Sequence, residues 1–405
     1  MQYNQDFLSY QYNPFRSFLM GGFECADQQN AFGNRVDLYE MTGHDHFLEE
    51  DYHRANDLGI FSVREGIRWS FVEKKPYEYD WSEVERMIFA AKKHSIQIIW
   101  DICHFGYPDD LTPFHPMFAR RFTHLCVAFV KKYREISPDD ELIITPINEV
   151  SFISWLGGDA RGTSPYCIHQ GWEVKYSLMR AYIEGVVAIK EIDANIKILA
   201  TEPLINIVAE NPLDSIAVLN AKKNHEDQFQ VLDILCGKIC PELGGKPELL
   251  DFIGVNFYYN NQWINETHEF LPWADEPPHT SYRNLESLAG EVFVRYGKPL
   301  LISETSHPGE DSAKWLNMIN FECQKILKQG IPLLGCCIYP LIDRPDWDIT
   351  DHWHHSGIWD IVNSETLERV VCEDSFAACK AIGEIDSVFS GQQDFSFHDS
   401  GHGNV

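Results

Sequence analysis

Residues 141–150 read ELIITPINEV, and the reading of the whole chain turns on them. Ile143, Ile144, Thr145 and Ile147 are β-branched, broken only by Pro146, which is the pattern of a buried strand. The run closes on Asn148 and Glu149. A carboxylate is costly to desolvate, so a buried strand that ends on one needs a partner or a task for it. Residues 299–306, PLLISETS, repeat the design and carry Glu304. Two strands that each deliver a glutamate at the carboxyl end are what a two-carboxylate glycosidase on a β/α barrel requires. The competing reading is that each glutamate caps the next helix or pairs with an arginine.

Outward from these two stretches, strand and helix patterns alternate. Strands are expected at 18–26, 60–69, 96–104, 141–149, 196–201, 251–258, 300–304 and 333–342. Helices are expected at 46–58, 81–94, 118–136, 172–192, 225–239, 285–296, 312–328 and 374–385. Eight such units imply a parallel sheet closed on itself, a single-domain α/β protein of the (β/α)8 TIM-barrel type. The domain is expected to span 1–389, with 390–405 (SGQQDFSFHDSGHGNV) as a flexible tail. A doubly wound open sheet is the alternative, but no glycine-rich dinucleotide fingerprint follows the first strand.

A formal charge of −28 argues against nucleic acid or an anionic membrane as partner, and leaves neutral ligands open. The 11 cysteines form no CxxC pair and read as small buried hydrophobes in a reducing compartment. With no basic start, no apolar leader and no membrane-length apolar run, the expected location is the cytoplasm.

In a barrel of this kind, polar residues at the carboxyl ends of the strands converge on one pocket. Here those ends supply Glu24, Gln28, Arg64, Asp101, His104, Asn148, Glu149, Glu202, Asn256, Tyr258, Glu304, Tyr339 and Asp343. The set is rich in acids, amides and aromatics and poor in lysine. It suits a neutral polyol rather than a phosphate, which would call for Arg, Lys or a glycine nest.

With that set in view, the chain resembles glycoside hydrolase family 1, the β-glucosidase-like family of clan A barrels, from about residue 18 to 362. FLMGGFECADQQ (18–29) is similar to the family's FLWG strand and its sugar-binding glutamine, here Gln28. VREGIRW (63–69) resembles YRFSIAW, which sets Arg64 beside the nucleophile. DICHFGYP (101–108) resembles LFHWDLP, with His104 as a sugar ligand. ITPINEV (144–150) matches TFNEP, implying that Asn148 holds the 2-hydroxyl and Glu149 is the acid/base.

DFIGVNFYY (251–259) is close to DFIGINYY, giving Asn256 its family role and Tyr258 a bond to the nucleophile. LLISETS (300–306) is similar to the ITENG strand, making Glu304 that nucleophile. YPLIDRPDW (339–347) resembles WSLLDNFEW, with Tyr339 for the platform Trp, Asp346 for the Glu that clamps the far hydroxyls, and Trp347 kept. Val150 stands for the family's proline after NE, and Thr305-Ser306 for its Asn-Gly. The loop DWDITDHWHH (346–355) lacks the lysine of members acting on phosphorylated sugars.

The resemblance implies retaining hydrolysis of a β-glycoside of a neutral sugar, with carboxyls roughly 5–5.5 Å apart. Two other classes share these residues: a transglycosidase or biosynthetic glycosyl-transfer enzyme, and a non-catalytic sugar-binding barrel. No metal or cofactor is expected, and the partner is a small carbohydrate. Asp351, His352, His354 and His355 read as a solvated loop rather than a metal site. Glu24 and Asp27 fall outside the family pattern.

Overall fold

The computed structural model describes residues 13–275 and 277–390, so the expected tail beyond 390 and the first twelve residues lie outside it. The barrel strands are β1 (Leu19–Gly22), β2 (Ser62–Gly66), β3 (Gln97–Cys103), β4 (Ile143–Ile147), β5 (Lys197–Pro203), β6 (Phe252–Asn256), β7 (Leu300–Thr305) and β8 (Leu333–Ile338). All neighbours pair in parallel, and the sheet closes where β8 meets β1, with Leu19 opposite Cys336. This is the expected (β/α)8 barrel.

Around it run α1 (His44–Asp57), α2 (Ser82–Lys93), α3 (Phe118–Ile136), α4 (Val150–Gly158), α5 (Gly171–Ile192), α6 (Ser215–Glu226), α7 (Gln230–Leu235), α8 (Leu285–Tyr296), α9 (Ser312–Lys328) and α10 (Glu373–Ser390). In the described residues no helix is long and apolar enough to cross a membrane.

Several elements differ from expectation, each for a local reason. The first strand stops at Gly22: Phe23 N–H still donates to Arg64 O on β2, but by Ala26 the backbone has left the sheet, its carbonyl accepting from Leu38 N–H. Helix α4 was not expected. Its sequence, VSFISWLGG, is apolar nearly all round and lacks the period of an amphipathic surface helix. The helix expected at 225–239 is instead α6, a short 3₁₀ turn (Asp227–Phe229) and α7. Asp214 starts α6 by accepting the amides of Ile216 and Ala217, but α6 buries only Ala221 and His225, so its apolar pattern is weak.

Side chains on a strand alternate between faces, and here the two faces carry different cores. Inward-pointing Met20, Ile99, Ile143, Leu199, Phe252, Leu301, Leu334 and Cys337 join Phe15 and Tyr339 in a cluster separate from the larger core between barrel and helices. Each such side chain contributes about 1.5–3 kcal/mol by leaving water. On β2 the alternation divides two neighbouring charges. Arg64 turns to the barrel interior and Glu65 turns out to His44 and Tyr52.

Candidate active site

The apolar interior gives way to a polar layer at the carboxyl ends of the strands, organised by Arg64. Its side chain is fully buried. Nη1 donates to Glu304 Oε1 at 2.7 Å and to Ser303 O at 2.9 Å. Nη2 donates to Asp101 Oδ2 at 2.6 Å and to Asn148 Oδ1 at 3.0 Å. A buried guanidinium is costly unless its charge is met, and here two carboxylates meet it while the Asn148 oxygen and the Ser303 carbonyl take further Nη hydrogens; Nε has no partner among the described residues. Arg64 does not pair with Glu65.

Glu304 reaches this layer through an irregularity. The β6–β7 register shifts between Ile302 and Glu304, so neighbouring residues Ser303 and Glu304 both engage interior groups. Ser303 Oγ donates to Asn256 Oδ1 at 2.5 Å, and Tyr258 OH donates to Glu304 Oε2 at 2.9 Å. Both oxygens of Glu304 are therefore oriented, one by Arg64 and one by Tyr258.

Glu149 sits one turn beyond β4 with φ 46° and ψ 58°, a left-handed conformation uncommon for a residue with a side chain. Its N–H donates to Thr201 O at 3.0 Å, and its Oε1 accepts from Asn256 Nδ2 at 2.8 Å. Asn256 thus bridges the two strand-end motifs, taking Ser303 on one side and Glu149 on the other. Burial, and after it the Glu304 charge, push the Glu149 carboxyl up to about 8, against the Asn256 hydrogen bond. One carboxyl keeps its proton near neutrality, beside a second one held by a guanidinium and a phenol. That division of labour is the one proton transfer to a leaving group requires.

His104, Asn148 and Tyr339 form the adjoining wall. His104 Nδ1 lies 2.9 Å from Asp101 Oδ2, and Nε2 is 3.2 Å from Asn148 Nδ2. Thr201 Oγ1 donates to Asn148 Oδ1 at 2.7 Å. Tyr339 lies parallel to His104, with centroids 5.6 Å apart, and its OH donates to Phe23 O at 3.3 Å. It approaches β1 so closely that a Cβ on Gly22 would fall 2.0 Å from the ring, so only glycine fits there.

The remaining expected residues divide. Gln28 is buried with neither amide atom paired among the described residues, whereas Gln29 turns away to donate to Asp109. Trp347 is half-buried against Phe105 and Phe152, its indole N–H likewise unpaired among the described residues. Asp346 spends both oxygens on its own loop. Oδ1 accepts the amides of Asp348 and Ile349, and Oδ2 faces His354 Nε2 at 3.2 Å. Burial would raise its carboxyl, but these bonds and His354 outweigh that and hold it below the usual range.

Asp27 is also engaged away from the glutamates, by the amide and hydroxyl of Ser70. Thr201 and Ser303 belong to the network and were not expected. Each neighbours a rim acid on its strand (Glu202, Glu304), and strand alternation alone would have sent it to the other face.

Among the described residues, two groups of side chains have ligand-type atoms within 4.8 Å of one another: Cys25, Asp101 and His104, and Asp343, His355 and Asp360. In the first, Asp101 is already bound to the Arg64 guanidinium, which repels a cation. In the second, His355 Nδ1 pairs with Asp360 at 2.8 Å.

No protein-family model matches the sequence, and no curated protein sequence matches it. Solved structures do match by shape. A family 1 β-glucosidase from Thermotoga maritima superposes with a TM-score of 0.70 at 16% identity, over 84% of this chain and 88% of that one. The β-glucosidase from the same organism in complex with castanospermine gives 0.68 at 16% identity, over 84% and 87%. Its complex with isofagomine lactam gives 0.70 at 15% identity, over 92% of this chain and 98% of that chain. The fold of this chain, a closed (β/α)8 barrel, is the fold of those family 1 β-glucosidases.

Proposed function

We propose that this chain hydrolyses a β-glycoside of a neutral sugar with retention of configuration. Glu304 attacks the anomeric carbon while Glu149 passes its proton to the departing oxygen. Glu149, now ionised, takes a proton from water as that water displaces the sugar from Glu304. Arg64 and Tyr258 hold the nucleophile in position, and Asn256 holds the acid. His104, Asn148, Gln28 and Trp347 supply the surface that grips the sugar.

The observation that carries this reading is the unequal treatment of the two glutamates. Glu304 has a guanidinium on one oxygen and a phenol on the other. Glu149 is buried beside it with a single amide partner and a raised pKa. Sugar-like inhibitors occupy the Thermotoga maritima β-glucosidase, a protein of the same fold.

The test is a panel of nitrophenyl β-glycosides, followed by a mechanism-based fluoroglycoside inhibitor and mass spectrometry of the labelled peptide. Turnover with the β-anomer formed first, and a sugar adduct on Glu304, are expected. A first-formed α-anomer, or an adduct elsewhere, refutes the assignment. Transfer of the sugar to added alcohols in preference to water would identify a transglycosidase using the same two residues.

A further inference from the structure

Among the buried polar atoms near the catalytic pair with no partner among the described residues, besides Arg64 Nε and Asp101 Oδ1 within the charge network itself, are Oε2 of Glu24, the amide of Gln28 and the indole N–H of Trp347. They belong to one neighbourhood. Arg344 Nε lies 3.0 Å from Glu24 Oε1, and its guanidinium carbon is 5.6 Å from the Trp347 ring centroid. Trp347 packs edge-on against Phe105, which lines one small cavity with Gln28 and packs at 4.7 Å on His104. Burial raises the Glu24 carboxyl above its usual range, against the charges of Arg344 and His104, and Glu304 and Arg64 act on it as well.

Gln28 and Trp347 already have a place in the reading above. Glu24 does not. It is only 6% exposed, at the carboxyl end of β1, and nothing in the two-glutamate chemistry uses it. A buried carboxylate oxygen left unmet is expensive, so a site that keeps one is built to have it met by something else.

Resting on the glycosidase reading, we propose that Glu24 binds the glycone. Arg344 holds Oε1 and fixes the side chain, and Oε2 accepts a hydroxyl hydrogen of the sugar ring. The substrate class follows from the charge. The Arg344 guanidinium is ion-paired with Glu24, Nε lying 3.0 Å from Oε1, and its Nη1–H donates to Pro345 O at 3.1 Å. A carboxylate or phosphate on the glycone would therefore meet the Glu24 carboxylate and a guanidinium whose charge Glu24 already offsets, and an uncharged polyhydroxylated ring is selected. The competing role is structural: Glu24 merely neutralises Arg344.

The two roles separate when wild type and Glu24→Gln are compared on the best nitrophenyl β-glycoside and on each of its monodeoxy analogues. Glutamine keeps an oxygen for Arg344 but presents N–H where the sugar needs an acceptor. Loss of a hydrogen bond to a charged acceptor lowers kcat/KM on the parent by about 10- to 100-fold. On the single analogue lacking the contacted hydroxyl, the variant and wild type should agree within about threefold, the double-mutant logic applied to enzyme and substrate.

An equal loss on the parent and every analogue assigns Glu24 to structure and overturns the proposal, as does no loss on the parent. Should Glu24→Gln not fold, Glu24→Asp withdraws the same oxygen and is read in the same way. A wild type that turns over no glycoside and takes no label on Glu304 removes the glycosidase reading and this proposal together. An active, labelled wild type with a uniform loss in the variant removes the proposal alone.

Discussion

Glu149 concentrates several unfavourable features in one residue: a buried carboxyl, a left-handed backbone and a charged neighbour. The left-handed backbone alone costs of order 1–3 kcal/mol, and such strain is kept where the surrounding structure enforces it. The pH dependence follows from the sign. Burial and then the Glu304 charge raise the folded-state pKa from 4.5 to about 8, so between those values the folded chain retains a proton that the unfolded chain has released. Stability is therefore lost progressively as pH rises from about 4.5 to about 8. Glu149→Gln should melt a few degrees above wild type at neutral pH, with the gap closing near pH 4; differential scanning calorimetry reads both. The same variant should lose about 10²- to 10⁴-fold in kcat/KM on substrates with poor leaving groups, and far less on activated aryl glycosides. Equal damage to both classes removes Glu149 as the acid.

Glu202 adds a third carboxyl to this group. Burial raises it to about 7, opposed by the Ser151 N–H that donates to it and by Lys175 on α5. After burial, Glu304 and the Asn256 hydrogen bond, Glu202 is the next influence on Glu149 and raises it. The proposed mechanism requires a protonated Glu149, so activity should fall as pH rises through about 8. Glu202→Gln should move that basic limb to lower pH in a kcat/KM profile. An unmoved limb would show that the charge of Glu202 does not reach the acid.

At the scale of elements, β2 and α1 are joined by buried charge. His44 stacks on Phe23 at 3.9 Å and bonds Asp51 at 2.9 Å and Glu65 at 3.0 Å. Arg369, near the far end of the chain, closes the group on Asp51 at 2.9 Å. Burial alone would lower His44, but Glu65 and Asp51 outweigh it and raise the imidazole from 6.5 to about 9. A raised histidine contributes stability that is complete below its unfolded value and lost as pH climbs through about 9. Thermal unfolding should show that decline, and His44→Phe should start lower at neutral pH and lack it. A wild-type melting temperature flat to pH 10 would sink this account. The same seam explains the placement of Arg64. Strand alternation sends Glu65 to the histidine and leaves its neighbour facing the glutamates.

Elements were legible where burial left a pattern in the sequence, as in the β-branched run of β4, the apolar run of β7 and the amphipathic faces of α2, α3 and α9. They were not legible where it did not. Helix α4 is apolar nearly all round, and α6 rests on an Asp214 cap with little buried surface.

The whole molecule carries a formal charge of −28, and Glu24, Asp101, Glu149, Glu202 and Glu304 gather acidic groups at the site. Arg64 and Arg344 are already paired within it. Anionic substrates should therefore be excluded both at encounter and at the glycone. A 6-phospho-glycoside should show kcat/KM on the order of tenfold or more below its neutral counterpart, with the ratio narrowing in high salt. Equal turnover of the two would contradict the neutral-glycone reading.

The sequence by itself determined the order of the eight barrel strands, most of the helices between them, and the two places where a glutamate ends an apolar run. Those features are local, since a side-chain period of two or of 3.6 is visible within a dozen residues. Tertiary structure decided how each polar atom is spent. It gave Asp27 to Ser70, Asp346 to its own loop, Gln29 to Asp109, and Ser303 to Asn256 through a shifted register. It also brought Arg344 from the last barrel loop onto Glu24 from the first strand end. Hydrogen-bond partners are chosen across the barrel by distance and desolvation, and no spacing along the chain records that choice.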